Sequence, residues 1–89
     1  MTCTGEMKIH NEFGLHARPA AALVSLANKF QAQIFLKKDE TKVNAKSILG
    51  VLVLAAESGS TVEIEANGED AEEAIQQLID LAENRFGTE

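Results

Sequence analysis

The stretch Gly14-Leu-His-Ala-Arg-Pro-Ala-Ala-Ala22 decides how the rest of this chain is read. Glycine adopts backbone angles that other residues avoid, so Gly14 marks the end of a loop. Pro19 fixes its own φ and has no N–H to donate, which is harmless only in the first turn of a helix. The alanines around it are the strongest helix formers. A helix therefore starts near Ala17, and His16 falls at or beside its cap. An imidazole and the Arg18 guanidinium then lie where unpaired backbone N–H groups and the helix dipole favour an anion.

Working outward, Met7 and Ile9 alternate with Glu6, Lys8 and His10, the period of a half-buried strand, with His10 on the outer side. Leu23, Val24, Ala27 and Phe30 recur at helical spacing, predicting a first helix over Ala17–Asn28. Gln33–Lys38 is rich in strand formers, Asp39-Glu40 is a turn, and Thr41–Asn44 closes a hairpin. Ile48–Ala56 is an apolar run open to two readings. Its Val and Leu content suits a buried strand, whereas Ser47 as N-cap and the spacing Ile48, Val51, Leu52 favour a short helix, ended by Gly59. Val62, Ile64 and Ala66 alternate inward on a strand, and Asn67-Gly68 turns the chain. Asp70 and Glu73 form a capping box for a last helix whose stripe runs from Ala71 to Phe86, with Gly87 as its stop. The order β-α-β-β-α-β-α predicts an α+β fold, an open-faced sandwich with helices on one sheet face. All 89 residues form a single domain.

Composition narrows the function. A net charge of −6 argues against nucleic acid, which requires a basic surface. The single cysteine, Cys3, cannot form an internal disulfide, fits a reducing compartment, and in a short N-terminal arm is no candidate for thiol catalysis. No signal peptide is visible, and Ile48–Ala56 is far short of the roughly 20 apolar residues of a spanning helix. A soluble, cytoplasmic protein with no membrane insertion is expected. His10 and His16 sit in different elements without a Cys or carboxylate at ligand spacing, so no metal or cofactor is implied. A Ser-His hydrolase would need an oriented base and an oxyanion hole, and neither is legible.

Two readings of His16 remain from the residues alone. In one, it caps a helix and Arg18 is solvated. In the other, a neutral imidazole nitrogen acts as a nucleophile, and the helix N-terminus with Arg18 receives a phosphoryl group through N–H donors and guanidinium charge.

Gly14–Ala21, "GLHARPAA", resembles the active-site motif of the HPr family, the histidine-containing phosphocarriers of the bacterial phosphoenolpyruvate-dependent sugar phosphotransferase system. Glu40–Ala55, "ETKVNAKSILGVLVLA", is similar to the same family's regulatory serine segment, with Ser47 at the serine. The resemblance covers nearly the whole chain and implies the HPr-like fold, a four-stranded antiparallel sheet covered on one face by three helices. It implies that His16 accepts a phosphoryl group on Nδ1 from phosphorylated enzyme I and passes it to enzyme IIA components of sugar permeases. Arg18 and the backbone N–H groups of Ala17 and Arg18 would support that group, and the protein alone would turn nothing over. Ala17, Ala22, Ile48, Leu49 and Leu52 match positions of the docking surface, while Val51 and Leu54 are read as core. Ser47 would be the substrate of an ATP-dependent HPr kinase/phosphorylase where the organism has one.

The family often carries lysines around its docking face. This chain has Ser25, Asn28 and uncharged Gly50 there, with only Lys29 nearby, which implies weaker steering toward an acidic enzyme I. One alternative is an NPr-type carrier of the nitrogen-related branch, which shares the Gly-x-His-Ala-Arg-Pro motif and has a regulatory output. Another is a non-catalytic partner-binding module in which His16 is only a cap. A monomer is expected of a carrier that shows one face to successive partners.

Overall fold

Exposed and more buried residues alternate along residues 2–8, 33–38 and 61–67, and in the computed structural model, which describes residues 1–88, the chain forms one four-stranded antiparallel sheet. The strands are β1 (Thr2–Lys8), β2 (Gln33–Lys38), β3 (Thr41–Asn44) and β4 (Thr61–Asn67), in the order β1-β4-β2-β3. Register is set by the apolar face. Met7 lies opposite Val62, and Leu36 opposite Ile64, all four nearly or wholly removed from solvent. A one-residue slip would turn each of these outward. The other face carries Glu6, Glu63, Lys37 and Lys42 in one cross-strand row, the solvated side of an open sandwich.

Three helices cover the apolar face: α1 (Ala17–Ala27), α2 (Ile48–Leu54) and α3 (Ala71–Glu83). α3 packs on β1 and β4 through Ala71, Ala74, Ile75, Leu78 and Ala82. Gly5 of β1 sits under α3, where a Cβ would come within 2.7 Å of the Ile75 side chain. α1 buries Pro19, Ala20, Leu23 and Ala27. The choice between strand and helix for Ile48–Ala56 falls to helix. Ser47 adopts an extended N-cap conformation and its Oγ accepts from the Gly50 N–H at 3.2 Å. Val51 and Leu54 are core, as the spacing predicts. Burying each removes an aliphatic side chain from water, a gain of about 1.5–3 kcal/mol per residue.

Five local expectations are corrected. Cys3 lies within β1, half-buried opposite Ala66, and not in a free arm. α1 ends one residue early, with Asn28 as its C-cap: the Asn28 Nδ2 donates to Val24 O at 2.9 Å and Lys46 O at 3.2 Å. That second bond ties the end of α1 to the residue before Ser47. α2 ends at Leu54, with Ala55 as C-cap at φ +51°, and Gly59 belongs to the following turn. α3 ends at Glu83. Arg85 and Phe86 take φ of +54° and +55° in a short 3-10 turn, which buries Phe86 off the helical stripe.

The fifth correction concerns Asp70. It makes no capping bond to its own helix, and Glu73 instead accepts from the Gln77 side chain at 3.1 Å. The Asp70 carboxylate accepts from the backbone N–H groups of Gln31 and Ala32, both at 2.8 Å. The Asn67–Gly68 turn presses against this loop: a Cβ on Gly68 would lie 2.7 Å from the Ala32 Cα. Two backbone donors brought this close need an acceptor, and Asp70 is the group in reach. The Gln31 N–H, with the Ala32 N–H and the Lys46 charge, holds the Asp70 carboxyl below its ordinary value of 3.8 against the opposing effect of burial. A carboxyl whose folded pKa is depressed contributes stability above its unfolded pKa and loses it as pH falls through the folded value. Asp70→Ala should therefore unfold at lower urea concentration than wild type at pH 7. The gap should narrow as pH falls below about 4, which urea titrations across pH 7 to 2.5 would read directly.

Candidate functional site

The loop between β1 and α1 is anchored before it reaches His16. The inward alternation of Met7 and Ile9 continues to Asn11, which is 0% exposed. Its Nδ2 donates to Arg85 O at 2.9 Å and to Thr88 Oγ1 at 3.1 Å, holding the loop to the turn after α3. Gly14 N–H then donates to Asn11 O at 3.0 Å, and Leu15 N–H donates to Ala56 O at 2.9 Å. At Gly14, φ is +71° and a Cβ would collide with the Ala56 carbonyl oxygen, so only glycine fits the turn. Leu15 is buried immediately afterward.

His16 is the N-cap of α1, with extended φ/ψ of −79° and −170°. Its carbonyl accepts the first intrahelical bond, from Ala20 N–H at 2.9 Å, but its side chain makes no capping bond. The imidazole is therefore not spent on closing the helix. It is half-buried and lines a shallow depression with Phe13, Leu15, Leu52, Ala55, Ala56 and Glu57. The Phe13 ring meets it edge-on, with centroids 6.2 Å apart and planes at 79°. Ala17 and Arg18 occupy the first turn, where helix N–H groups have no intrahelical acceptor, and Pro19 removes the third donor. Arg18 is exposed and forms no ion pair among the described residues. First-turn N–H groups and an imidazole without a capping bond thus share one helix end, with the exposed Arg18 two residues on from His16 and outside the lining of the depression. That set suits a covalently held anion.

α2 supplies the surface beside it. Leu49 is 72% exposed, and Ile48 and Leu52 are also open to solvent. Leu52 reaches the His16 depression, whereas Ala17 is exposed on α1 and Ala22 is half-buried against the core. Ser47 lies at the opposite end of α2 from Ala55, its hydroxyl used as a cap. The sequence reading passed over Val53, 71% exposed and one turn along α2 from Leu49, and also Phe13, Asn11 and Glu57. Asn11 was signalled by the continued alternation, and Phe13 by a large apolar residue in an otherwise polar loop. His10 bonds through Nε2 to Glu83 Oε2 at 2.9 Å, away from the site. Among the described residues no group of three or more His, Cys, Asp or Glu could hold a metal, and no helix is long and apolar enough to cross a membrane.

The family described as the PTS HPr component phosphorylation site matches residues 3–84. The phosphocarrier protein HPr of Cupriavidus necator is 48% identical over 79 residues, which is 89% of this chain and 89% of that one. The crystal structure of an HPr from Thermoanaerobacter tengcongensis superposes with a TM-score of 0.92 at 49% identity, over 98% of each chain. A second crystal structure from that organism, described as an HPr dimer, has a TM-score of 0.77 at 52% identity and covers 91% of this chain and 93% of that one.

Ala55, at the rim of the His16 depression, holds a left-handed conformation that costs an L-residue about 1–2 kcal/mol. Ala55→Gly should raise the free energy of unfolding by about 0.5–1 kcal/mol, since glycine removes this strain and returns part of the gain as backbone entropy. Urea denaturation at an unchanged m-value would register it.

Proposed function

The chain belongs to the HPr family of phosphotransferase-system phosphocarriers, and from that premise we propose that His16 is its phosphoacceptor. The observation that carries this reading is an N-cap histidine whose side chain caps nothing, beside the first-turn N–H groups of Ala17 and Arg18. The Nδ1 lone pair attacks the phosphorus of phosphorylated enzyme I. A new N–P bond forms as the bond to the donor breaks, and the donor leaves with its electron pair. The Arg18 guanidinium and the two backbone N–H groups stabilise the phosphoryl oxygens. The reverse geometry hands the group to an enzyme IIA component of a sugar permease, so the protein carries a covalent intermediate and catalyses no turnover of its own.

Ile48, Leu49 and Leu52 of α2, with Ala17 and Ala22 of α1, form the face that partners cover, supported by the exposure of the three α2 residues and by Leu52 lining the depression that holds His16. Ser47 sits at the edge of that face. Phosphorylation of Ser47 by an HPr kinase would add charge at the N-terminus of α2, where the helix accommodates it. The same charge would lie beside an apolar contact and repel an acidic partner. The carrier works as a monomer in the cytoplasm. The sugar-branch reading is preferred to the nitrogen-branch one on the segment "AKSILG" around Ser47.

Labelled phosphoenolpyruvate with enzyme I from the same organism should transfer label to the wild type. The label should be acid-labile and alkali-stable and should be absent from His16→Ala. No label on folded wild type with either the sugar-branch or the nitrogen-branch enzyme I would leave a partner-binding module. Which of the two enzymes works decides the branch. Ser47→Asp should slow the transfer by about tenfold, the scale of one unmatched charge at a contact, with little change in thermal stability.

A further inference from the structure

The aromatic ring at the tip of the loop before α1 has no evident role in folding. Phe13 is 75% exposed, so it adds little to the core. Its ring partner is His16, in a T-shaped contact with centroids 6.2 Å apart. Neither imidazole nitrogen of His16 has a hydrogen-bond partner among the described residues, and the side chain makes no capping bond. The backbone that presents the two rings is fixed on both sides. Gly14 N–H closes the turn onto Asn11 O, and Leu15 N–H is held by Ala56 O. With Leu15 buried between them, Phe13 and His16 line the same depression.

We propose that Phe13 is a positioning residue for His16: its ring restrains imidazole rotation and keeps the reactive nitrogen at the mouth of the depression shared with Leu52 and Ala55. The kinetic consequence rests on the phosphoacceptor reading above, whereas the restraint on the ring does not. Edge-to-face pairs have a preferred geometry because the negative face of one ring attracts the positive edge of the other. A nucleophile that samples several rotamers spends less time in the attacking geometry, so loss of the restraint lowers the rate of the chemical step rather than the affinity for the donor.

Phe13→Ala, Phe13→Leu and Phe13→Tyr separate this from a simple docking role. Three-bond Hα–Hβ couplings of His16, measured by NMR in the unphosphorylated protein, report its χ1 distribution. Wild type and Phe13→Tyr should show one large and one small coupling, and Phe13→Ala and Phe13→Leu should show averaged values. Phosphoryl uptake at saturating enzyme I should fall about fivefold in Phe13→Ala and Phe13→Leu, the rate equivalent of one aromatic pair, and stay within about twofold of wild type in Phe13→Tyr. Backbone amide shifts of α1 away from its first turn should not change. Wild-type couplings in Phe13→Ala would overturn the proposal. So would averaged couplings with undiminished uptake, or a loss confined to KM, which would make Phe13 a docking residue. Should Phe13→Ala fold poorly, Phe13→Leu, which keeps an apolar side chain at the loop tip, decides the matter by the same two readouts. If the wild type takes no label, the phosphoacceptor reading fails, and the couplings alone decide whether Phe13 holds the ring.

Discussion

Two backbone contacts onto Ala56 hold the site together: the Leu15 N–H bond at 2.9 Å and the close approach of Gly14 to the same carbonyl. Residues 14 and 15 lead into α1, and Ala56 follows α2, so this single carbonyl joins the start of one helix to the end of another. Everything at His16 depends on that junction. It sets the positive φ of Gly14, buries Leu15, turns the N-terminus of α1 to solvent and places Leu52 and Ala55 beside the imidazole. The Asn11 side chain reinforces it from behind by tying the loop to the turn after α3. Loop residues positioned by a rigid frame in this way present chemistry with little entropy left to lose on binding.

α2 is divided between two tasks. Val51 and Leu54 are core, whereas Leu49 and Val53 are exposed one turn apart on the opposite side. A seven-residue helix is too short to be stable on its own, so its packing and its Ser47 cap have to support the apolar surface that it exposes. The bonds from Asn28 to Lys46 O and from the Lys46 Nζ to Phe30 O pin its entry to the end of α1. The two helices that border the site are thereby fixed to one another at both ends. The exposed apolar side of α2 and the His16 end of α1 are therefore held in one fixed arrangement.

Most strands and helices were legible from their period, although Ile48–Ala56 suited a strand as well as a helix, and the helix start at His16 was legible because glycine, proline and alanine punctuate that segment so strongly. The misreadings share one cause. Asp70 and Glu73 stand at capping-box spacing, but the carboxylate was taken by two backbone donors of a loop 38 and 39 residues away in sequence. Phe86 continues the stripe of α3 on paper, yet α3 ends at Glu83, and Arg85 and Phe86 take left-handed angles where Arg85 O accepts from the Asn11 side chain. Gly59 looked like the natural stop for α2, but the chain turned earlier, at Ala55, where the carbonyl of Ala56 meets Leu15. Local propensity carries no information about which distant donor will need an acceptor.

The sequence by itself determined most of the order of elements, the inward face of each strand, the helix start at His16 and the core positions Val51 and Leu54. These follow from periodicity and from the backbone limits of glycine and proline, which act within a few residues. Only the tertiary structure decided that the His16 side chain caps nothing, that Phe13 lies edge-on to it and that Asn11 is buried beneath. Each of those depends on hydrogen bonds and contacts closed between segments far apart in the chain, whose partners are chosen by packing.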